Sequence, residues 1–318
     1  MNTQTPLYTE KLLSVIIPAY NEEAVILKTA SVVAGILSSA QIEYELLFVD
    51  DGSGDNTWQL IRQASEENPC VRGLSFSRNF GKDKAVFAGL SCAAGDACVV
   101  IDCDLQHPPE KIVEMFRLWE QGWQVVEGVK SDRGRESRLY ALCAGAFYAI
   151  ISRVTGIDMK RSSDFRLLDR KVVDVLLEMR EQDAFFRALS SWVGFRRTEV
   201  EFDVSERAAG ASKWSFKALL RYAVSSIASF SAAPLQLSTA AGVLVLVTAL
   251  ISAIAFGIFG GDKEAWLMFF AVLALVALGC LLVGLGILGY YADKIYRQTL
   301  NRPRFIIADE CGEKRERP

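Results

Sequence analysis

The sequence predicts an α/β domain with a mostly parallel sheet, followed by a hairpin of two membrane-spanning helices. Three observations predict this architecture. Short apolar runs alternate with helical patterns over the first half of the chain, as in sheets built from strand–helix–strand units. Acidic residues follow directly after two of these runs, at Asp50 and Asp102. Two long segments in the last third carry no charged side chain.

The elements of the first half follow one another in a regular order. Predicted strands lie at residues 13–17, 44–49, 71–76 and 97–101, and predicted helices lie at about 22–37, 57–64 and 84–93. No Gly-x-Gly-x-x-Gly motif follows the first strand, which argues against a dinucleotide-binding fold. The sequence therefore predicts a parallel sheet with another kind of ligand site at the carboxyl ends of its strands.

Net charge and cysteine usage indicate which partners and which cellular compartment to expect. The net charge of the 318 residues is −3, which gives no reason to expect a nucleic-acid partner. The seven cysteines include no Cys-x-x-Cys pair. Cys98, Cys103, Cys143 and Cys280 lie in apolar surroundings, so we interpret them as small buried residues in a reducing compartment.

The last third of the chain contains two predicted membrane spans. No side chain is charged in residues 222–261 or 265–292, and each segment holds the roughly 20 apolar residues that cross a bilayer. We place the spans at about 237–259 and 266–290, with Trp266, Tyr290 and Tyr291 at the membrane interfaces. A buried helical hairpin of a soluble protein is the alternative.

Charges beside the spans predict their orientation. Basic residues flank the hairpin on both sides, whereas the connecting loop contains Asp262 and Glu264 around Lys263. By the positive-inside rule both ends of the hairpin, and with them the N-terminal domain, are cytoplasmic. The expected localisation is therefore the inner (cytoplasmic) membrane, crossed more than once.

A segment just before the first span has an amphipathic pattern. Lys213, Lys217 and Arg221 form a basic row four residues apart, while apolar residues recur at helical spacing. We interpret residues 213–233 as a helix lying in the headgroup layer, with an ordinary surface helix as the alternative. The predicted domains are 1–212, 213–233, 234–292 and a cytoplasmic tail at 293–318.

The apolar run ending at Asp102-Cys-Asp104 predicts a metal site. Carboxylates at a strand end can converge, and hard oxygen ligands favour Mg²⁺ or Mn²⁺, which usually takes one or two carboxylates plus substrate phosphates. The alternative is a capped turn, with Asp104 as the N-cap of a helix that follows Pro108.

The order of motifs resembles glycosyltransferase family 2, and within it the polyprenyl-phosphate glycosyltransferases such as bactoprenol glucosyltransferases and dolichyl-phosphate mannose synthases. The residues that carry the resemblance span nearly the whole chain: Ser14-Val-Ile-Ile-Pro-Ala-Tyr-Asn-Glu-Glu23, Phe48-Val-Asp-Asp-Gly-Ser53, Ser77-Arg-Asn-Phe-Gly-Lys82, Asp102-Cys-Asp-Leu-Gln106, Ser163-Asp-Phe-Arg166, Ser191-Trp-Val-Gly194, Glu206-Arg207, Gly210-x-Ser-Lys213, Ser229-Phe-Ser231 and Asn301-Arg-Pro303. The resemblance implies the GT-A type of fold, which binds a nucleotide-sugar.

Site residues follow from the resemblance by motif. The implied nucleotide-sugar contacts are Pro18, Ala19, Tyr20, Glu22, Asp50, Asp51, Lys82, Asp102, Cys103 and Asp104. The implied ligands of the Mg²⁺ or Mn²⁺ cofactor are Asp102, Asp104 and Gln106. The implied catalytic set is Asp102, Asp104, Asp164, Arg207 and Lys213, with Asp164 either chemical or structural.

The acceptor accounts for the membrane half of the chain. A long isoprenoid phosphate stays in the bilayer, so its headgroup must be met at the surface by cations. The candidates for this contact are Arg207, Lys213, Lys217 and Arg221. Lys82, Lys130 and Arg133 are weaker candidates for phosphate contact.

The resulting hypothesis is inverting transfer of one hexose from a nucleotide-sugar, UDP-glucose by resemblance, to undecaprenyl phosphate for a cell-surface glycan. Another sugar (N-acetylglucosamine, mannose or an aminoarabinose derivative) is the enzymatic alternative. A non-catalytic membrane scaffold or flippase component is the alternative of another class. Expected partners are the donor, the polyprenyl phosphate, membrane lipids and a second copy of the chain.

Overall fold

The computed structural model describes residues 11–131, 162–179, 181, 185–203, 233–260 and 262–315. They belong to two compact units, Met1–Lys213 with Pro303–Pro318, and Trp214–Arg302. Residues 213–232 of the predicted interfacial helix, which include Lys213, Lys217 and Arg221, lie outside the described residues, as do Arg133 and Arg207.

The first unit is built on one eight-stranded sheet. Its strands are β1 (Leu12–Ala19), β2 (Glu43–Asp50), β3 (Val71–Phe76), β4 (Ala97–Val100), β5 (Val125–Lys130), β6 (Ser162–Asp169), β7 (Arg197–Phe202) and β8 (Ile307–Cys311). Their spatial order is β7-β5-β6-β4-β1-β2-β3-β8. β6 runs antiparallel to β4 and β5, β8 runs antiparallel to β3, and the other pairs are parallel. The predicted mostly parallel α/β sheet is confirmed.

Helices cover this sheet. They are α1 (Ile26–Ser39), α2 (Thr57–Glu67), α3 (Lys82–Cys92), α4 (Lys111–Glu120), α5 (Arg170–Glu178) and α6 (Phe186–Trp192). α1 illustrates why the sequence folds this way, since Ile26, Val33 and Leu37 recur on one helical face and are fully buried. All eight residues of β1 are buried, as expected for a central strand covered on both faces.

The second unit consists of two long apolar helices, α7 (Ala233–Phe259) and α8 (Lys263–Thr299). Both contain segments long and apolar enough to cross a membrane, with mean hydropathies of 2.5 and 2.8 and none of their residues buried. The hydroxyls of Thr248 and Ser252 donate to carbonyls one turn earlier, at 2.8 and 2.7 Å, so these polar groups are satisfied within the helix. A Cβ at Gly284 would lie 2.7 Å from Ser238 Oγ, because the two helices approach closely there.

α8 extends beyond the predicted span, which ends near residue 290. Its last turns carry Asp293 and Arg297, whose side chains form an i,i+4 ion pair of 2.7 Å between Oδ2 and Nε. Such pairs stabilise exposed helical turns. The helix therefore continues after its apolar residues end.

The chain after α8 returns to the first unit, a feature that the sequence patterns do not predict. β8 extends the sheet beside β3. Phe305 stacks on Phe76 with ring centroids 5.3 Å apart, and Phe76 contacts Phe80 edge-on at 5.6 Å. The amide of Ser77 donates to the carbonyl of Ile306 at 3.1 Å. The residues after α8 thus support the loop that leads from β3 into α3.

We predict that Phe305→Ala lowers the free energy of unfolding of the first unit by about 1–2 kcal/mol. Phe305 is half-buried, so the loss is smaller than for a fully buried phenylalanine. Urea unfolding of the full-length protein in detergent, followed by tryptophan fluorescence, measures the change. The matched control is Ile306→Ala, because the Ile306 side chain is 51% exposed. Equal unfolding free energies for the two variants would contradict the packing role of Phe305.

Candidate active site

The carboxyl edge of the sheet brings together loops from both halves of the first unit. β1, β2 and β4 are parallel, so their carboxyl ends meet at this edge. β6 is antiparallel to β4 and pairs Arg166 with Val100. Continuing this register by two residues sets Asp164 opposite Asp102. The reversed strand therefore adds a carboxylate, near its own beginning, to an edge otherwise made by strand ends.

A cluster of alternating charges occupies this edge. The ammonium of Lys82, the first residue of α3, lies 2.5 Å from Asp102 Oδ1 and 2.8 Å from Asp164 Oδ2. On the other side of Asp164, Arg187 Nε donates to Oδ1 at 2.9 Å. One lysine thus bridges a carboxylate in the loop after β4 and a carboxylate on β6, and the carboxylate on β6 also binds an arginine.

Electrostatics keeps all these groups charged. Burial alone would raise the pKa of Asp164, but Arg187 and Lys82 hold it well below its ordinary value. Burial likewise opposes ionisation of Asp102, and Lys82 nevertheless holds the pKa of that carboxyl below its usual range. Burial would lower the pKa of Lys82, yet Asp102 and Asp164 raise it. The cluster is therefore a set of ion pairs at neutral pH.

Arg187 is positioned by a buried arginine, Arg166 on β6. The Arg166 guanidinium is fully buried and donates to the Arg187 carbonyl at 3.0 Å and to Ser190 Oγ at 2.7 Å. Glu127 Oε1 on β5 lies 3.4 Å from its Nη1 atom. Burial lowers the pKa of Arg166 to about 10, which leaves it protonated at neutral pH. Arg166 therefore fixes α6, and with it Arg187, against β6.

The loop after β4 is held in a tight conformation. Leu105 has a positive φ of 57°, and the amide of Gln106 donates to Asp104 Oδ1 at 3.1 Å. The amide of Asp102 points to His107 Nδ1 at 3.5 Å. Burial lowers the pKa of His107, so its imidazole is neutral and can accept this bond. His107 stacks on Phe165 with ring centroids 5.2 Å apart, which ties the loop to β6.

The residues at this loop fit a divalent cation that is shared with a substrate. Among the described residues, no group of three or more histidine, cysteine, aspartate or glutamate side chains converges on one point. Two carboxylates, Asp102 and Asp104, stand in the same loop. Asp102 Oδ1 is buried, and the ammonium of Lys82 is its charged partner at 2.5 Å. Mg²⁺ commonly takes one or two carboxylates and completes its shell with substrate phosphates and water.

Asp50 and Asp51 order the loops beside this cluster. Asp50 accepts hydrogen bonds from the amide of Ser53 at 3.0 Å and from the hydroxyl of Ser75 at 2.8 Å. Asp51 accepts from the amides of Phe80 and Gly81, at 2.7 and 2.9 Å, directly before Lys82. Both acids are buried, and burial raises the pKa of Asp51. Their carboxylates thus bind the protein's own loops.

Gly52, between these acids and α2, has a backbone conformation that a side chain would prevent. Its φ is +67°, and a Cβ there would clash with the backbone of Arg78 and Asn79. The loops after β2 and β3 can therefore pack directly against each other.

The remaining residues of the predicted donor site lie at the end of β1 and in the loop after β4. Tyr20, directly after β1, is 42% exposed, and the carbonyl of Ala19 accepts from the Asp51 amide at 2.9 Å. The amide of Glu22 donates to Thr57 Oγ1 at 2.8 Å. The side chain of Cys103 is buried, and burial raises the pKa of its thiol, so this thiol stays protonated.

The structure adds contacts that the sequence analysis did not predict, and one residue that it did not name. Lys82, Asp102 and Asp164 are brought into direct contact, whereas their mutual proximity was not predicted. Arg187 was not a candidate at all, because no motif around it indicates a charge partner and Asp164 lies far away in sequence. Arg166 was part of a motif without an assigned role. The antiparallel pairing of β6 with β4 is what joins these residues.

Comparisons with known proteins give one consistent family. The family model described as "Glycosyl transferase family 2" matches residues 14–177. The chain is 38% identical to an uncharacterized glycosyltransferase of Bacillus subtilis, over 96% of this chain and 95% of that protein. It is 35% identical to the bactoprenol glucosyl transferase of Shigella phage SfV, over 94% of this chain and 98% of that protein.

A solved structure is also similar at a greater distance. Glucosyl-3-phosphoglycerate synthase from Mycobacterium tuberculosis, in complex with Mn²⁺, uridine diphosphate and glucosyl-3-phosphoglycerate, is 20% identical. The match covers 69% of this chain and 80% of that one, with a TM-score of 0.49.

Proposed function

The chain belongs to glycosyltransferase family 2 and has the GT-A type of fold, and from this premise we propose that it transfers one glucose from UDP-glucose to a polyprenyl phosphate. The reaction inverts the anomeric centre and takes place at the cytoplasmic face of the membrane. One observation carries the proposal: a single chain combines a charged cluster at the carboxyl edge of a glycosyltransferase sheet with two helices long and apolar enough to cross a bilayer.

The donor site is proposed at the carboxyl edge of the sheet. Tyr20 and the loops ordered by Asp50 and Asp51 are suited to hold the nucleoside, since they surround the ends of β1 and β2. Lys82 is suited to contact the diphosphate, since it begins α3 and carries a positive charge at the same edge. A positive charge fixed where the leaving group gains negative charge lowers the reaction barrier.

Asp102 and Asp104, with Gln106, would hold a Mg²⁺ or Mn²⁺ ion against that diphosphate. When bound, the ion supplies Lewis-acid stabilisation of the departing nucleoside diphosphate. The support for these ligands is the chemistry of the loop, which offers two carboxylates, one of them with a buried oxygen that is paired with the ammonium of Lys82.

The acceptor supplies its own nucleophile. The second pKa of a phosphate monoester is about 6, so the polyprenyl phosphate is largely dianionic near pH 7. One of its oxygens forms a bond to the anomeric carbon while the bond from that carbon to the diphosphate oxygen breaks, and no proton has to be removed. Asp164 is therefore proposed as a positioning residue that holds Lys82 and Arg187 rather than as a general base.

The acceptor class rests on the relatives and on the two apolar helices. Several relatives that cover nearly the whole chain are named bactoprenol glucosyl transferases. Arg207 and Lys213, with Lys217 and Arg221, are proposed to receive the lipid phosphate because they precede the first apolar helix in sequence. The cytoplasmic orientation and a homo-oligomeric state remain proposals, the former based on the basic flanks of the hairpin.

We expect inverted membrane vesicles containing the full-length protein to convert undecaprenyl phosphate and radiolabelled UDP-glucose into an organic-soluble sugar-lipid. Asp104→Asn should lower turnover about 10²-fold or more, the effect of losing a major electrostatic stabiliser, and EDTA should abolish turnover. Right-side-out vesicles are the control for the membrane face.

UDP-N-acetylglucosamine, GDP-mannose and a UDP-aminoarabinose derivative are tested in parallel. Product from one of these donors alone would replace glucose in the proposal, and no product from any donor would favour the non-catalytic alternative.

We expect Arg207→Ala to weaken use of undecaprenyl phosphate about ten- to hundredfold in kcat/KM, because a charge-assisted contact to phosphate contributes roughly 1.5–3 kcal/mol. Lys213→Ala should act in the same direction. Donor affinity, measured by calorimetry with UDP and Mn²⁺, should remain that of the wild type. Loss of UDP binding with unchanged acceptor dependence would assign these cations to the diphosphate instead.

We expect Asp164→Asn to lower kcat about tenfold or more. The fall of kcat/KM toward acid pH, its acid limb, should remain in this variant. The pKa of Asp164 lies well below its ordinary 3.8, so this carboxyl is ionised throughout pH 5–8 and loses no charge in that range. The limb near pH 6 then belongs to the acceptor phosphate, whose dianion is lost as the pH falls. Rates from pH 5 to 8 for the wild type and the variant test this. Disappearance of the limb in the variant would identify Asp164 as a base.

A further inference from the structure

Lys82 and a divalent cation would compete for the same carboxylate oxygen. The ammonium lies 2.5 Å from Asp102 Oδ1, a buried oxygen with which it pairs directly. Asp102 is also one of the two carboxylates that fit a metal ion. Two cations cannot both approach one oxygen this closely without strong repulsion between them.

The Lys82 side chain has the freedom to move away from Asp102. Its side chain is 44% exposed, and a lysine carries its charge on a flexible four-carbon stem. Asp102 lies in the loop after β4 and Asp164 lies on β6, so the lysine can keep one contact while it gives up the other. Asp164 also retains Arg187 at 2.9 Å, so movement of the lysine does not leave this partly buried carboxylate unpaired.

The negative charge of the donor diphosphate offers a new partner for the Lys82 ammonium. Once a divalent cation neutralises Asp102, the strongest nearby anion is the diphosphate that this cation binds. Lys82 begins α3 directly after the loop held by Asp51, so its backbone is fixed while its side chain can turn. The side chain can therefore exchange partners without movement of the fold.

We propose that Lys82 is an exchange cation, which neutralises Asp102 before the donor arrives and moves to the donor diphosphate when a divalent metal takes Asp102. This inference rests on the proposed function and deepens it. It assigns opposite effects to one side chain: Lys82 opposes binding of the metal alone and favours binding of the metal together with a nucleoside diphosphate.

The test compares two binding constants in full-length protein in detergent. Free Mn²⁺, measured by electron paramagnetic resonance, gives the affinity for the metal alone. Calorimetry with UDP at saturating Mn²⁺ gives the affinity for the diphosphate. We expect Lys82→Met to bind Mn²⁺ alone about tenfold more tightly, because a competing positive charge is gone. We expect the same variant to bind UDP about ten- to hundredfold more weakly, because a charge-assisted contact is lost.

Three variants make the comparison specific. Lys82→Gln also lacks the charge and should reproduce both effects, so a folding defect of the methionine variant alone does not prevent the test. Lys82→Arg keeps a positive charge and should not tighten Mn²⁺ binding. Lys111→Met removes a lysine that pairs with Glu114 at 2.7 Å on α4, and it should change neither constant.

The outcomes separate this inference from the proposed function. If both uncharged variants weaken Mn²⁺ and UDP binding together, Lys82 has a structural role and the exchange is wrong. If Mn²⁺ binding is unchanged in these variants, Lys82 does not compete with the metal and the exchange is again wrong. If the wild type binds no UDP in the presence of Mn²⁺, the proposed function fails and the exchange fails with it.

Discussion

The reversed direction of β6 is the constraint on which the charged edge depends. In a fully parallel sheet, this strand would bring its end to the edge where Asp102 lies, and Asp164 near its beginning would lie at the opposite edge. The antiparallel register instead sets Asp164 across from Asp102, and the gap between them admits one ammonium, that of Lys82. Arg166, on the same strand, anchors α6 and so aims Arg187 at the far side of Asp164.

The residues after α8 support the loop that carries Lys82. Phe305 stacks on Phe76, Phe76 contacts Phe80, and the Ser77 amide binds the chain at Ile306. On the inner side of the same loop, Asp51 accepts two amide hydrogen bonds. The loop is thus held by an aromatic stack from the end of the chain and by a buried carboxylate from β2. Because these residues come from three distant parts of the sequence, the position of Lys82 depends on the complete first unit.

Local patterns in the sequence were sufficient to predict the elements whose formation depends on nearby residues. The strands of the first half, the acidic loop after β4 and the two apolar helices lie where their patterns predict them. β8 could not be predicted in this way, since two of the five residues in Ile-Ala-Asp-Glu-Cys are acidic and its partner β3 lies far earlier in the chain. The same applies to Lys82, Asp164 and Arg187. Their contacts depend on strand direction and register, which no single segment encodes.

Under the proposed function, the charges of the cluster favour binding of metal and donor together. Asp102 and Asp164 pair with Lys82 and Arg187, and Asp104 lies in the same loop as Asp102, so these five groups carry one net negative charge. A divalent cation alone would turn this balance positive while Lys82 remains nearby, and a nucleotide-sugar alone would add two negative charges to an already negative edge. The two together are neutral as a pair and leave the balance unchanged. Electrostatics at this proposed site therefore disfavours the metal alone and the nucleotide-sugar alone, and favours the two together. A lysine beside Asp102 contributes to this preference because its charge opposes binding of the metal before the donor.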